Sequence, residues 1–504
     1  MFSLTRLYLP LFAILLIAPT GIAFAHVSEQ AFVLLLPTKV YIASGVLVVI
    51  LTIALLAFLP ANWTHKLFTP KSVYTHNPVT LKLSRKIYAS DLSSLASMLF
   101  LFVLLGIGFS GTHDPLGNVL PLFIWTIFWV AFVVLHGLFG NLWRWVNPWT
   151  GIYKILTTSD IAPIPYLLPP RLGAWPGVIV MLVFVVFALA DLAPDAPQRL
   201  ATVVVCYWLF TLLGVFLFGE LWLQRVECFS MLLDRYAQLA PLNRLNQKTS
   251  VGFFGWLART QPATTISTAI FILVLLGTGS FDGLNETFAW LAMIGVNPLE
   301  FPGRSAVVTP TVLGLLGANI LLIATYAICV YLGLFWATKS ANKSAYISIN
   351  TSAIKSASKP LDNHAGTDEP VSFKTAFCYL AISMLPIAFV YHFAHYLTAF
   401  LVNGQYALAA ASDPLANGQD LLGLGTFYVT TGFMNSHHSV QAIWLIQAAA
   451  VVAGHVLSVL LAHAIALDLF GSARRAIISQ APLAAFMVGY TFIGLWLLAA
   501  PKGA

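Results

Sequence analysis

Residues 93–111 read SSLASMLFLFVLLGIGFSG, nineteen positions without a charge. At about 1.5 Å per residue, one helix of this length crosses the roughly 30 Å hydrocarbon core of a bilayer. Runs of the same kind recur at 40–59, 119–140, 175–192, 200–221, 264–280, 309–337, 374–401, 440–467 and 482–500. The expected fold is therefore all-α: a polytopic membrane protein with about ten transmembrane helices, each satisfying its own backbone inside the lipid.

Composition points the same way. Hydrophobic residues make up 59% of the 504-residue chain and charged residues 9%, against about 25% charge in a soluble domain. The net charge of +7 carries no nucleic-acid signature, because the basic residues fall between apolar runs and form no aromatic-interleaved stripe. The four cysteines, Cys206, Cys228, Cys329 and Cys378, show no C-x-x-C spacing, so disulfide frameworks, zinc ribbons and c-type haem attachment lack support. Phosphate-loop and G-x-S-x-G signatures are missing as well.

Four regions are expected. Residues 1–25 have the form of a signal peptide, with Arg6, the apolar core LPLFAILLIA and Ala23-Phe24-Ala25; cleavage falls before His26, the alternative being a retained first helix. Residues 26–337 form a membrane region in which LFGNLW (138–143) and LFGELW (217–222) suggest two-span repeats. Residues 338–372, rich in Ser, Lys and Asn, read as a flexible cytoplasmic linker, and 373–504 as a His-rich membrane region. The loops near 60–92, 141–174, 222–262, 338–373 and 468–481 hold nearly all Lys and Arg, which makes them cytoplasmic and both mature termini external. The outer loop 402–436 is long and Gly-rich, and either covers a site or moves freely.

Six of the twelve histidines lie between His392 and His463. Ionisable side chains in spans face protein or a polar cavity and mark function. His392 and His395, at i and i+3, share one helix face in the outer third of the eighth span. His437 and His438 open the ninth span at the same level, whereas His455 and His463 lie deeper and suit interhelical hydrogen bonds or a pathway. His113-Asp114 in the turn GTHDPLG, and Asp282 with Glu286 after the sixth span, belong to the outer side. The proposed catalytic set is His392, His395, His437 and His438; the proposed metal set is His392, His395, His113, Asp114 and Asp282. Imidazole and carboxylate together suit Zn, Mn, Co or Fe, which activate water. The alternative is a set of unrelated interfacial residues. A mature N-terminal His26 could chelate copper, and a histidine pair between spans eight and nine could hold haem. His136 reads as a packing or hydrogen-bonding residue.

The segment AHVSEQAFVLLLPTKVYIASGVL (25–47) resembles the opening of a group of bacterial inner-membrane proteins labelled fenitrothion hydrolase, and LFGNLWRWVNPW (138–149) and YHFAHYL (391–397) are similar to later stretches of that group. The resemblance implies a membrane-bound hydrolase of organophosphorus triesters, with lipid and a small apolar phosphotriester as partners and no nucleic acid. It supplies no catalytic residues. The competing expectation is a transporter, or a metal-handling or respiratory-assembly protein, which requires polar groups continuing across the membrane.

Overall fold

The computed structural model describes residues 33, 35–75, 89–158, 166–245, 248–261, 263–298, 303–352 and 371–502. The signal segment and His26 lie outside them. Among the described residues nine helices are long and apolar enough to cross a membrane: α1 (Thr38–Leu56), α2 (Ala89–Ser110), α3 (Val119–Phe139), α5 (Pro197–Phe218), α6 (Ile266–Asn285), α7 (Val308–Ser352), α8 (Phe373–Ser412), α9 (His437–Phe470) and α10 (Ala473–Ala499). The tenth expected span, α4 (Trp175–Ala190), is an apolar helix of 16 residues. The protein is an all-α polytopic membrane protein.

Helices α6 and α8 are central: 78% of the apolar window of each is buried in protein, against 17% for α1. α8 packs on α3, α6 and α9, and α10 lies against α1, α7 and α9. Among the described residues one small sheet interrupts the helices. β1 (Lys71–Thr75) pairs antiparallel with β3 (Lys248–Val251), which pairs antiparallel with β2 (Leu242–Leu245). It ties the α1–α2 connection to the α5–α6 connection.

LFGNLW and LFGELW adopt the same local turn. Gly140 (φ 91°) ends α3 and Gly219 (φ 67°) ends α5, each with its N–H closing the last helical turn on His136 O (3.0 Å) or Val215 O (2.8 Å). A short helix follows each, Trp143–Val146 and Leu221–Arg225. Positive φ at a helix end selects glycine, so a shared geometric requirement accounts for the motif. His136 is fully satisfied beside the first turn: Nδ1–H donates to Phe132 O (2.8 Å) and Nε2 accepts from Trp143 N–H (2.9 Å).

Two irregularities shape the centre. Pro386 has no N–H to give, and α8 tightens to a 3-10 turn over Ile382–Met384. The Ser383 carbonyl there accepts from the Ser458 hydroxyl of α9. In α3, residues Phe123–Phe132 widen to a π-helix, an uncommon form that concentrates at functional sites.

Beyond Pro386, three consecutive residues of α8 sit against three glycines on three other helices. A methyl group at Gly137 would lie 2.2 Å from Phe389, one at Gly454 2.2 Å from Val390, and one at Gly283 2.0 Å from the Tyr391 hydroxyl. Small residues of this kind let membrane helices approach closely.

The segment expected to be a linker is helical at its start, because α7 continues to Ser352; residues 353–370 lie outside the described set. We expect Gly454→Ala to lower stability by about 1–3 kcal/mol, the usual effect of overpacking. Gly106→Ala, where the added methyl meets nothing within 4 Å, leaves it unchanged or slightly raised. Thermal unfolding of the two purified variants in one detergent checks this.

Candidate functional site

Asp282 lies in the last turn of α6 and is 7% exposed. Both facts work against its charge, since burial removes water and a helix C-terminus carries negative partial charge. Two donors from α8 compensate. Tyr396 OH donates to Asp282 Oδ2 at 2.5 Å, and His395 Nε2 lies 3.1 Å from the same oxygen. One turn earlier, His392 Nε2–H donates to the Trp129 carbonyl in the π-helical part of α3 at 2.7 Å. The His392 ring stands edge-to-face on both Trp129 and Tyr396, with centroids 4.9 Å away in each case.

Three cavities adjoin this cluster. The innermost, about 40 Å³, is lined by Asp282, His392, His395, Tyr396, Thr278 and Trp129 among others. A water needs at least about 10–15 Å³ on this measure, so the space suits a few waters and no larger molecule. A second cavity of about 110 Å³ shares Tyr391 and His395 with the first and extends to Thr398, Trp444, Gln447 and Lys502. Gln447 Nε2 is fixed there by Ala394 O (2.8 Å) and Thr398 Oγ1 (3.3 Å). The chain end is pinned over this cavity: Phe288 N–H donates to Pro501 O (2.9 Å), Thr287 and Lys502 form a β-bridge, and Lys502 Nζ meets Glu286 at 3.4 Å. The third cavity, about 460 Å³ and almost wholly apolar, lies among α2, α3, α4 and α5 and shares Trp129 and Phe184 with the first.

Of the residues singled out in the sequence, the structure brings together Asp282, His392 and His395. The others do not converge. His113 and Asp114 are exposed in the α2–α3 turn, where Asp114 Oδ1 accepts from Leu116 N–H (3.1 Å). His437 and His438 are exposed at the start of α9, with ring centroids 5.9 Å apart. Both pairs mark ends of elements, where water solvates them at no packing cost, so the outer ring of ligands expected from sequence is not formed. Among the described residues no group of three or more His, Cys, Asp or Glu side chains is placed to hold a metal ion. His392, committed to α3, faces no α9 imidazole as a haem pair requires.

Tyr396, Tyr391, Trp129, Gln447 and Lys502 were not anticipated as site residues. Only Tyr396 carried a signal, by directly following His395 in a run that already held two histidines. The deeper pair is separate. His455 Nδ1–H donates to Val451 O (2.8 Å) while Nε2 has no partner among the described residues, and His463 Nδ1 accepts from Gln480 Nε2 (2.6 Å).

The long loop begins later than expected, because α8 runs to Ser412. It is held by its own hydrogen bonds. Gln405 Nε2 donates to Thr430 O, and Gln405 Oε1 accepts from Thr430 N–H, each at 3.0 Å. Asp420 accepts from Gly425 N–H (2.8 Å), the Ser412 hydroxyl (2.8 Å) and Leu424 N–H (2.7 Å).

Comparisons of this chain with protein-family models, curated proteins and solved structures gave no match.

The Gly425 amide, with the Ser412 hydroxyl and the Leu424 amide, holds the Asp420 carboxyl below its ordinary value. Such a group favours the folded loop above the unfolded carboxylate pKa of about 3.9, and that contribution is lost as pH falls through the lower folded value. Amide exchange at Leu424 and Gly425 is expected to stay protected at pH 5 and to lose protection on acidification below about 4. Asp420→Asn removes that pH dependence.

Proposed function

We propose that the chain is a membrane hydrolase of apolar phosphotriesters. The observation that carries this is the buried Asp282–His395 pair beside a cavity sized for water. With Nε2–H directed to Asp282, Nδ1 is the basic nitrogen of His395. A water in the cavity gives a proton to Nδ1 as its oxygen attacks the phosphorus of a triester that enters from the larger apolar cavity as Trp129 and Phe184, the side chains the two cavities share, move aside. The new P–O bond forms, the bond from phosphorus to the aryl oxygen breaks, and the products are a phosphodiester and a phenolate. The proton then leaves His395 through the cavity that ends at Lys502. Tyr396 fixes the carboxylate that orients the imidazole, and His392 fixes the π-helical wall at Trp129.

The likeness of YHFAHYL to the organophosphorus hydrolases supports the same chemistry, since that stretch contains His392, His395 and Tyr396. The role falls to side chains because, among the described residues, Asp282 and His395 are not joined by the third protein ligand that a catalytic zinc site has. Loop charge supports a place in the bacterial inner membrane, behind a signal segment, with the Lys502 end and the mature termini facing the periplasm.

Reconstituted protein is expected to release nitrophenolate from a dialkyl nitrophenyl phosphate, with activity persisting after chelation of divalent metals. His395→Ala and Asp282→Asn each lower kcat by about 10²- to 10⁴-fold, the range for a general base. His113→Ala and His437→Ala leave it unchanged. Absence of turnover, or full turnover in His395→Ala, refutes the assignment.

A second reading, passage of protons or ions, is favoured by the polar groups that follow Asp282 along the bundle. Ser280 and Tyr490 share a hydrogen bond, and the Tyr490 ring lies 6.4 Å from that of His455, whose Nε2 is unpartnered among the described residues. His463 and Gln480 continue the file. Passage predicts a proton flux in proteoliposomes under an imposed pH gradient, lost in Tyr490→Phe. Hydrolysis without flux eliminates passage.

A further inference from the structure

A triester and its products differ in charge, and so do the two sides of the Asp282–His395 pair. An apolar triester suits the cavity of about 460 Å³, whereas a proton or a phosphodiester anion does not, because charge in an apolar passage is costly. Polar traffic is left with the other side, the cavity of about 110 Å³ that contains His395, Thr398, Gln447 and Lys502. None of its lining residues is exposed, so this cavity is roofed over. Half of the lining is one run of chain, residues 497–502.

That run is fastened to the three residues that follow α6. Ala500 leaves α10 in an extended conformation (ψ 137°), and Pro501 has no N–H with which to continue the helix. Pro501 O accepts from Phe288 N–H (2.9 Å), Lys502 bridges to Thr287, and Lys502 Nζ lies 3.4 Å from Glu286. The two sides of this seam are unequal. Thr287 is fully buried, and its hydroxyl donates to Leu284 O (2.7 Å) and accepts from Trp290 N–H (3.2 Å). Across the seam the ion pair is open to water, with the Lys502 and Glu286 side chains 27% and 50% exposed, and such pairs are weak. The α6 side is therefore the fixed edge, and residues 500–502 are the part able to lift.

We propose that residues 500–502 form a strap that lifts to open the His395 cavity to water, with Glu286 as its latch. Closed, the strap keeps bulk water from the buried carboxylate and imidazole. Open, it admits water and releases the phosphodiester anion. The purpose of the strap rests on the hydrolase reading, but entry to the cavity is a property of the chain that needs no turnover.

Full-length Thr398→Cys protein in lipid nanodiscs, treated with a trimethylammonium methanethiosulfonate, reports the opening. The reagent is permanently charged and reaches the new thiol only from water, and mass spectrometry reads the label at position 398 apart from the four native cysteines. Labelling is expected to be slower than at Gln419→Cys, in the exposed loop after α8, by about tenfold or more, since only the lifted fraction reacts. Glu286→Gln added to Thr398→Cys speeds it about two- to fivefold, the range of a part-exposed ion pair. Lys502→Arg keeps the charge and leaves the rate near that of the parent. In a second arm, oxidation of the Thr287→Cys/Lys502→Cys protein stops release of nitrophenolate, and reduction restores it. Labelling at 398 as fast as at 419, a rate that Glu286→Gln does not change, or hydrolysis that persists once the disulfide has formed overturns the strap. Absence of hydrolysis in the unmodified protein removes the hydrolase reading alone, because labelling still decides the strap.

Discussion

Phe389, Val390 and Tyr391 of α8 each press on a glycine of a different helix: Gly137 of α3, Gly454 of α9 and Gly283 of α6. In a bilayer the lipid is as apolar as the side chains, so contact surface and close approach decide which helices associate. Three simultaneous contacts at consecutive positions, about 100° apart around the axis, fix both the depth and the rotation of α8. Everything polar at the centre depends on that rotation. His392 follows at once and reaches the Trp129 carbonyl of α3, while His395 and Tyr396 turn to Asp282 of α6. The break before Pro386 lets this half of α8 take its own direction.

Electrostatics makes the arrangement demanding. A carboxylate at the C-terminal end of a buried helix is disfavoured by burial and by the helix dipole together. Asp282 is retained there with two donors on one oxygen, and removal of either leaves charge poorly compensated. Around it the empty space is graded in size. Water-sized cavities touch the carboxylate and imidazole, and a ligand-sized cavity lies beyond Trp129 and Phe184. Two aromatic side chains, Trp129 and Phe184, thus stand between the polar cluster and the apolar cavity.

Much of the fold was legible in the sequence because lipid imposes a simple rule on length and polarity. Nine expected spans have counterparts long enough to cross, and α4 is the shorter helix at the place expected for the tenth. Composition was a poorer guide beyond the lipid: the polar stretch 338–352 reads as linker yet continues α7, since a helix needs no apolar face where it leaves the core. In the site, Asp282, His392 and His395 announced themselves as ionisable groups within apolar runs. Convergence was not legible. It rests on glycine contacts such as Gly283 against Tyr391, which have no signature in one sequence. His113, Asp114, His437 and His438 looked equivalent by level in the membrane, but they sit at exposed ends of elements. Tyr396 and Trp129 were overlooked because aromatic residues are ordinary in spans.

The sheet of β1, β2 and β3 has a consequence for how the chain is made. β1 belongs to the connection after α1, and its partner β3 is translated only after α2, α3, α4 and α5. At roughly 5–20 residues per second, β1 waits on the order of ten to thirty seconds with an unpaired edge at the membrane surface. Once β3 docks, α2, α3, α4 and α5 lie in a closed loop, clasped before α6 and α8 have emerged. The ribosome thus delivers a finished outer segment into which the buried helices must insert. The β1–β3 pair can therefore close only after α2 to α5 have been made, and it contains none of the residues around Asp282.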